Sequence, residues 1–311
     1  MKRVLLTGAT GFIGLNSIAP LVKRGYEVHA VSSKSAEEIT SVAGVLSSNV
    51  QWHKTDLLRS DQVSSLIDEV RPTHLLHLSW YVRPGLFWTA AENLHWVKAS
   101  LDLVEQFVSY GGERVVAAGT CAEYDWNYGY CSENVTPLAS ATLYGVSKHA
   151  LHLMLEAFAA RSGLSAAWGR IFFLYGPREP QDRLVASVIG SLLRGESARC
   201  SHGNQVRDFL HVQDVASAFV ALLDSPVVGA VNIASGKPVS LKEIICKIAE
   251  QLNSSALVEW GSIPTTATDP PLLVADVRRL KDEVSWRASY DLDEGIEQTI
   301  LWWKAHLATV C

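Results

Sequence analysis

The chain has 311 residues, of which 48% are hydrophobic and 19% charged. This length and composition suit a protein with a large buried core and exclude wholesale disorder. The formal net charge is −5 and there is no long basic run, which excludes the clustered positive charge that nucleic-acid binding requires.

The first half of the chain alternates between apolar, strand-like runs and amphipathic, helix-like segments. Strands are predicted at Arg3–Thr7, Glu27–Ser32, Val50–Thr55, His74–Leu78 and Arg114–Ala118. The clearest helices between them are Phe12–Arg24, Ser60–Val70 and Ala91–Tyr110. Repeated β–α units with right-handed crossovers predict an α/β fold, a doubly wound parallel Rossmann sheet with helices on both faces.

The second half of the chain is less regular. A long helix begins near Leu143, and a strand follows at Ala166–Phe172. Later helices are predicted at Arg183–Arg194, Val212–Leu223, Leu241–Leu252 and Asp293–His306, and short strands at Arg207–Leu210 and Ala230–Ile233. The pattern predicts a first domain over residues 1–175 and a smaller α/β lobe over residues 176–311, with some segments of the lobe returning to the first domain.

A glycine-rich turn joins the first predicted strand to the first helix, with the sequence T-G-A-T-G-F-I-G. Its glycines are Gly8, Gly11 and Gly14. Glycines allow a tight turn and close approach of a pyrophosphate, and the helix N-terminus presents free N–H groups. The turn predicts a dinucleotide site that also includes Phe12 and Ile13. The alternative is a purely structural β–α turn.

The end of the second predicted strand has two hydroxyls and a lysine and no acid: Ser32, Ser33 and Lys34. A carboxylate there would hold a ribose 2′-hydroxyl, whereas these side chains suit a 2′-phosphate. The sequence therefore favours NADP over NAD, with a solvated surface charge as the alternative role for Lys34. Asp56, with Leu57 beside it, is predicted either to meet the adenine or to cap a helix.

Tyr144 and Lys148 stand four residues apart on a predicted helix and therefore share one face. A phenol has an ordinary pKa of about 10, and a neighbouring ammonium is expected to lower that pKa toward neutrality. Thr120, which closes the fifth strand, is the candidate to orient a substrate oxygen. Combined with the glycine turn, these residues predict coupled proton and hydride transfer. An exposed Tyr–Lys pair is the alternative.

The five cysteines have neither a C-x-x-C pair nor another metal or disulfide spacing. They predict free thiols in a reducing cytoplasm: Cys121, Cys131, Cys200, Cys246 and Cys311. The apolar start of the chain is interrupted by Thr7, Gly8 and Gly11, so a signal peptide is not expected. No apolar run reaches the roughly 18 residues of a membrane span.

Together these segments resemble the extended short-chain dehydrogenase/reductase family, in its NAD(P)-dependent nucleotide-sugar epimerase/dehydratase branch. The resemblance covers nearly the whole chain. The segments that carry it are Thr7–Gly14, Asn93, Thr120 with Tyr124, Tyr144–Lys148, Arg170, Tyr175–Pro177, Arg207–Val215 and Asn232–Gly236. The later segments are the ones typical of the nucleotide-sugar branch.

The resemblance implies that the first domain binds NAD(P) and that the second lobe binds a nucleotide-diphosphate sugar. The catalytic residues would be Thr120, Tyr144 and Lys148. Further cofactor contacts would be made by Tyr144, Lys148, Leu78, Ser79 and Phe172.

The resemblance also assigns substrate contacts. Arg207 would bind the diphosphate, for which a planar guanidinium is well suited. A surface salt bridge with Asp208 is the alternative for Arg207. Tyr124 would contact the substrate near Thr120.

Three features of the sequence depart from the family pattern. The Asp-Glu pair that follows the threonine in 4,6-dehydratases is replaced by Cys121 and Ala122, which disfavours dehydration. Phe173 stands where the family often has a substrate-binding Asn. The loop after the fourth strand is crowded by Trp80, Tyr81, Arg83, Phe87 and Trp88. These side chains either contact the substrate, with Arg83 on a phosphate, or pack the lobe interface.

The leading functional hypothesis is an NADP-linked oxidoreductase of carbohydrate biosynthesis that reduces a 4-keto-6-deoxy nucleotide sugar. The first alternative is a nucleotide-sugar epimerase that uses the same three residues. The remote alternative is a non-catalytic NADP-sensing regulator, which would need the glycine turn but not the Tyr–Lys pair.

A homodimer is implied by the resemblance. The helices Ala91–Tyr110 and Leu143–Arg161 are similar to those that pair two subunits into a four-helix bundle. Their apolar residues are equally consistent with a core position: Leu151, Leu153, Leu155 and Phe158.

Overall fold

The computed structural model describes residues 2–43, 50–265 and 269–310. Cys311, one of the five predicted free thiols, lies outside the described residues. The other four cysteines are free, and three of them are buried: Cys121, Cys131 and Cys200.

The strands and helices are numbered along the chain. The strands are β1 (Arg3–Thr7), β2 (Glu27–Ser32), β3 (Val50–Lys54), β4 (His74–His77), β5 (Arg114–Thr120), β6 (Tyr130–Cys131), β7 (Ser165–Ile171), β8 (Phe173–Tyr175), β9 (Ala198–Arg199), β10 (Val206–His211), β11 (Gly229–Ile233), β12 (Pro238–Ser240), β13 (Val258–Glu259) and β14 (Leu272–Ala275). The helices are α1 (Phe12–Lys23), α2 (Ala36–Ala43), α3 (Ser60–Val70), α4 (Glu92–Ser109), α5 (Leu143–Ser162), α6 (Leu184–Leu193), α7 (Val212–Asp224), α8 (Leu241–Gln251) and α9 (Leu292–Val310).

The main sheet has seven parallel strands in the order β3-β2-β1-β4-β5-β7-β11. This arrangement confirms the predicted α/β fold with a doubly wound parallel sheet. The central strands read as almost continuous apolar runs because both faces of the sheet are covered. Strand β5 is buried at every position.

Alternate residues of the central strands enter different cores. Val4 and Leu6 of β1 belong to one core, and Leu5 between them belongs to the core on the opposite face. Helices α1 and α7 pack together, and α4 packs against both α3 and α5. The sheet therefore holds its carboxyl edge rigidly between two helical layers.

The second lobe contains a smaller sheet in the order β12-β10-β14-β6, with β8 also paired to β10. Helices α6, α8 and α9 pack around a third apolar core. Strand β6 precedes residue 175 but pairs with β14, whereas β11 follows residue 175 but completes the main sheet beside β7. The pairings thus cross the predicted boundary in both directions, and the division at residue 175 remains a prediction.

No helix within the described ranges is both long enough and apolar enough to cross a membrane.

Candidate functional site

The glycine-rich turn lies at the carboxyl edge of the main sheet, between β1 and α1. Gly8 has a φ of +67°, and a Cβ there would lie 3.0 Å from the Leu78 carbonyl carbon and the Ser79 amide nitrogen. A Cβ at Gly14 would lie 2.1 Å from the Gly8 carbonyl oxygen. Gly11, directly before α1, offers no side-chain cap to the first amides of the helix. The tight turn and uncapped helix N-terminus fit a dinucleotide diphosphate.

A buried hydrogen-bond chain fixes the strand ends beside this turn. The Thr7 hydroxyl accepts from the Leu78 amide at 3.1 Å and the Ser79 amide at 3.3 Å. Its own proton is therefore directed to His77 Nδ1 at 2.8 Å, and His77 Nε2 then donates to the Ser100 hydroxyl at 2.9 Å. Burial, assisted by the charge of a nearby lysine, lowers the pKa of His77 to about 3 and keeps the ring neutral.

The end of β2 presents hydroxyls and a lysine, as the sequence indicates. Ser32 is buried, shares a 3.1 Å hydrogen bond with the Thr10 hydroxyl and accepts from the Lys34 amide at 3.1 Å. Ser33 is exposed and lines an open cavity of about 750 Å³ between β3 and α3. The residue with a free surface for a ribose substituent at this strand end is therefore Ser33, with Lys34 half-buried beside it.

Asp56 is exposed at the same cavity. Its carboxylate accepts from the Leu58 amide at 3.0 Å, within the turn that precedes α3. The residue that immediately precedes α3 is Arg59, and its side chain forms no capping hydrogen bond. The alternative that Asp56 caps the helix is therefore wrong. Its contact with adenine remains a prediction, and Leu57 beside it is buried.

Thr120 and Tyr144 meet at the carboxyl edge of the sheet. The Thr120 hydroxyl lies near the Tyr144 phenol and accepts from the Ala122 amide at 3.2 Å. Thr142 caps α5 by accepting from the Gly145 amide at 3.1 Å, which places Tyr144 in the first turn of that helix. The structure thus brings together two of the three predicted catalytic residues.

Lys148 lies one helical turn further along and is almost fully buried. Its Nζ donates to the Ala118 carbonyl oxygen at 2.8 Å and lies 3.7 Å from the ring centroid of Trp80. Trp80 is also buried, and its indole N–H donates to Asn93 Oδ1 at 2.8 Å. The Trp80 ring packs on Lys148 and its indole N–H is bonded to Asn93, and its contact with substrate remains a prediction.

The prediction that Lys148 lowers the pKa of Tyr144 is wrong for this structure. Burial raises the pKa of Tyr144 above its ordinary value, and the nearby Thr120 hydroxyl opposes that rise only in part. Burial lowers the pKa of Lys148 to about 7. Desolvation therefore favours the neutral form of both side chains.

The aromatic loop after β4 packs against Tyr144. The rings of Phe87 and Trp88 meet the Tyr144 ring edge-on at 4.8 and 5.8 Å between centroids. Trp126 contacts Trp88 at 6.1 Å, and the Trp88 carbonyl accepts from the Tyr144 amide. The loop therefore packs within the first domain and not at the lobe interface. Arg83 is exposed, and its phosphate contact remains a prediction.

A buried ion pair lies directly beneath Thr120, and the sequence analysis missed it. Glu123 is 0% exposed and Arg170 1% exposed, with Arg170 Nε 2.9 Å from Glu123 Oε2. Glu123 Oε1 accepts from the Thr120 amide at 2.8 Å and from the Trp168 indole at 2.9 Å. A basic residue inside the apolar segment of β7 was the signal that a buried acid must exist.

Tyr124 belongs to the same buried network. Its hydroxyl donates to Asn232 Oδ1 at 2.8 Å and accepts from Arg170 at 3.2 Å. Tyr124 is buried and its hydroxyl is bonded internally, and its contact with substrate remains a prediction. Phe172 is buried and lies 6.3 Å from the Tyr124 ring.

Arg207 is buried at the start of β10. It pairs with Asp269 at 2.5 Å, donates to the Val206 carbonyl at 2.9 Å and lies 5.4 Å from the half-buried Phe173 ring. The alternative of a surface pair with Asp208 is wrong, because the Asp208 carboxylate accepts from backbone amides of the segment that follows β11. Diphosphate binding by Arg207 remains a prediction.

Two arginines of the second lobe act electrostatically on the candidate site. The charge of Arg183 opposes the burial-driven rise in the pKa of Tyr144, and that of Arg207 opposes the rise in the pKa of Cys121. Both cations are therefore close enough to influence an anion at the end of β5. Arg183 was not predicted, since it lies at a loop–helix junction without a motif.

Three possible metal ligands lie near the ion pair. Single ligand atoms of Glu123, His149 and His152 lie within 4.8 Å of one another. However, Arg170 donates to both the Glu123 carboxylate and His152 Nδ1. A metal ion would have to share these groups with a buried positive charge. The arrangement does not favour a cation, and the absence of a metal from the function remains a prediction.

The sequence profile described as the "NAD dependent epimerase/dehydratase family" matches residues 4–234. This range includes the glycine turn, Thr120, Tyr144 and Lys148. The chain belongs to this family.

Two relatives align with almost the whole chain. UDP-glucuronic acid decarboxylase 1 of Xenopus tropicalis is 26% identical over 98% of this chain and 73% of its own length. CDP-abequose synthase of Salmonella typhimurium is 24% identical over 96% of this chain and 97% of its own. Family members thus act on nucleotide sugars with different bases and different named products.

Solved structures of the family have the same fold. The UDP-glucose 4-epimerase of Thermus thermophilus in complex with NAD is 26% identical, covers 97% of this chain and 99% of its own, and has a TM-score of 0.82. The family fold, the glycine turn and the closeness of Thr120 to Tyr144 together indicate an NAD(P)-dependent enzyme type.

We expect Gly14→Ala to disrupt the cofactor turn. The added methyl would overlap the Gly8 carbonyl oxygen, so the turn must shift at a cost of about 1–3 kcal/mol. NAD(P)H titration by fluorescence should show at least about a tenfold weaker Kd, since 1.4 kcal/mol corresponds to a factor of ten. Gly190→Ala in α6 is the matched control, because its Cβ would meet only the flexible Arg194 side chain, at 3.2 Å, and lies outside the cofactor turn. Equal affinities for G14A and wild type would contradict this account of the turn.

Proposed function

We propose that this family member is an NADP-linked oxidoreductase that reduces a 4-keto-6-deoxy nucleotide sugar. The observation that supports it best is that Thr120, at the end of β5, and Tyr144, in the first turn of α5, lie close together at the carboxyl edge of the sheet. Bound NADPH would supply the hydride, and the glycine turn and the end of β2 would hold it. The protein would supply the proton and orient the carbonyl.

The three side chains have separable roles in this proposal. Thr120 donates a hydrogen bond to the substrate carbonyl oxygen and polarises it. Tyr144 delivers the proton as the alkoxide forms, and its raised pKa holds the phenol in the proton-bearing form that a reduction needs. Lys148, with a pKa of about 7, provides a positive charge near the phenol below that pH.

Elimination of water is disfavoured by the residues that follow Thr120. Burial raises the pKa of the Cys121 thiol far above neutrality, so it is a poor acid–base group. Ala122 has no ionisable group. Glu123 is buried in its pair with Arg170 and has no surface towards a substrate. The site therefore lacks the carboxylate pair that a 4,6-dehydratase uses.

Epimerisation is the second candidate because it needs the same three side chains. Structures of UDP-glucose 4-epimerase with NAD share this fold, and several relatives are named as epimerases or decarboxylases. An epimerase retains its nicotinamide and reoxidises it in each turnover, whereas a reductase consumes NADPH. The stoichiometry of reductant use therefore separates the two.

Tyr144→Phe tests the chemistry directly. We expect NADPH consumption with 4-keto-6-deoxy sugars linked to CDP, dTDP, GDP or UDP to fall about 10²- to 10⁴-fold in kcat, the usual contribution of a general acid. Tyr128→Phe, an exposed phenol, is the matched control and should leave the rate unchanged.

The outcomes separate three functions. Reversible conversion of an unmodified UDP-sugar without net reductant use would replace the reductase proposal by the epimerase alternative. Turnover that persists in Y144F would remove Tyr144 from the mechanism. Tight NADPH binding without turnover of any nucleotide sugar would favour the cofactor-sensing regulator.

The preference for NADP rests on the end of β2. Ser33 is exposed there, Lys34 lies beside it, and no carboxylate occupies positions 32–34 to repel a 2′-phosphate. Solved relatives are in complex with NAD, so this preference would be a feature of this chain within the family.

Ser33→Asp should reverse the cofactor preference. The new carboxylate would accept from a ribose 2′-hydroxyl and repel a 2′-phosphate, so the NADPH/NADH ratio of kcat/KM should fall at least about tenfold. Ser109→Asp adds the same charge at the C-terminal end of α4, on the opposite edge of the sheet, and should not change the ratio. A wild-type enzyme that prefers NADH would refute the NADP assignment.

A cytoplasmic homodimer completes the proposal. Helices α4 and α5 pack side by side and expose large apolar side chains on the outside: Leu94, Val146, Leu153 and Met154. Each of these is at least half exposed, which is typical of a surface that a second subunit covers. The cytoplasmic assignment rests on the free cysteines.

Leu153→Glu should convert the dimer to a monomer. A buried carboxylate at a two-fold interface would meet its own symmetry mate, which adds repulsion to desolvation. Light scattering coupled to size exclusion should give twice the chain mass of 34.0 kDa for wild type and the single mass for L153E. Leu301→Glu, an equally exposed position on α9, is the control. A monomeric wild type would refute the dimer.

A further inference from the structure

The ion pair beneath Thr120 is unusually costly for a protein to bury. Glu123 and Arg170 are both inaccessible, and two charges are withdrawn from water to form one 2.9 Å contact. A buried pair contributes little net stability compared with apolar residues of similar size. Its placement, one turn from the candidate catalytic residues, suggests a role in the site.

Glu123 holds Thr120 by its backbone. Oε1 accepts from the Thr120 amide at 2.8 Å, while the Thr120 hydroxyl accepts from the Ala122 amide at 3.2 Å, which closes a reciprocal capping box. The same Thr120 hydroxyl lies close enough to the Tyr144 phenol to oppose the burial-driven rise in its pKa. The Glu123 carboxylate therefore determines where the Thr120 hydroxyl points.

Glu123 is also the acid that acts on Lys148. The other titratable groups around Lys148 are His77 from β4, and Tyr144 and His152 from α5; burial keeps all three neutral. Trp80 and Trp168 offer the ammonium only their rings. Glu123 reaches Lys148 across Trp168, whose ring lies 5.9 Å from Lys148 Nζ and whose indole N–H donates to Glu123 Oε1 at 2.9 Å. Within the described residues, the charge that raises the pKa of Lys148 against burial is that of Glu123.

We propose that Glu123 is a positioning residue of the Thr120–Tyr144–Lys148 site, with two separable roles: its geometry aims the Thr120 hydroxyl, and its charge keeps Lys148 an ammonium. The proposal rests on the proposed function of that site. Glu123 itself does not touch substrate, since it has no accessible surface.

The direction in which pH changes the activity follows from the charge state of Lys148. Lys148 is protonated below its pKa of about 7, so activity that needs the ammonium is lost as pH rises through that value. Removing the negative charge of Glu123 lowers the pKa of Lys148 further. The descending limb of the pH–rate profile then moves to lower pH.

Two substitutions separate the two roles. Glu123→Gln retains an oxygen acceptor for the Thr120 amide but removes the charge, so the descending limb should move down by about one pH unit or more, with kcat at low pH largely retained. Glu123→Asp keeps the charge but is one methylene too short to reach the Thr120 amide. It should leave the limb in place and lower kcat at every pH by about tenfold or more, because a small misplacement of an orienting group costs rate.

NADPH binding, measured without turnover, tests the charge role of Glu123 separately from the proposed function. Lys148 is predicted to contact the cofactor, so the Kd of NADPH, measured by fluorescence, should weaken as Lys148 loses its proton. E123Q should move that transition to lower pH as well. If wild type turns over no nucleotide sugar, the proposed function fails, while this binding transition still tests Glu123.

Controls address the folding of the variants. Asp214→Asn neutralises another buried carboxylate, which accepts from the Ser289 and Tyr290 amides, and should leave the limb unchanged. If E123Q does not fold, the double substitution Glu123→Gln with Arg170→Met leaves no unpaired charge and should still show the shift. The charge role is overturned if folded E123Q, or the double variant, keeps the descending limb of the pH–rate profile at its wild-type pH. It is also overturned if D214N moves that limb as far as E123Q does. E123D with wild-type kcat overturns the positioning role.

Discussion

A continuous chain of buried polar contacts ties the two sheets together at the candidate site. It runs from Glu123 through Arg170 and Tyr124 to Asn232, whose amide donates to the Cys131 carbonyl of β6 and to the Asp276 carbonyl after β14. Each member is withdrawn from water, so each contact must be made for the fold to be stable. Removal of one charge of the ion pair would leave the other unpaired at a cost of about 3–5 kcal/mol. The position of the second lobe over the catalytic edge depends on this chain.

The main sheet could be predicted closely from the sequence, whereas of the strands in the smaller sheets only β10 was predicted. Strands β1 to β5 and β7 were located within two residues because long apolar runs alternate with amphipathic helices. Strands β6, β9 and β13 have two residues each, and tertiary pairing rather than local preference makes them strands. Helix α2 was also missed, since its eight residues are too few to show a clear helical period.

The sequence identified the chemistry of the site better than its packing. Motif spacing brought Thr120 and Tyr144 together correctly, because the carboxyl ends of parallel strands and the following helices meet at one edge. The sequence could not show that burial dominates the protonation of Tyr144 and Lys148. It also could not show that Trp80 and Tyr124, both assigned to the substrate, are buried, because a side chain that follows a strand end can turn either outward or inward.

The main sheet is completed late in protein synthesis, because its strand β11 follows strands of the smaller sheet in the chain. Until β11 emerges from the ribosome, β7 is an unpaired edge of the main sheet, with a row of backbone donors and acceptors exposed beside an apolar surface. The nascent nucleotide-binding half is therefore open to pairing with strands of other chains. A stall in translation between β7 and β11 would leave a fragment in which this edge has no partner strand.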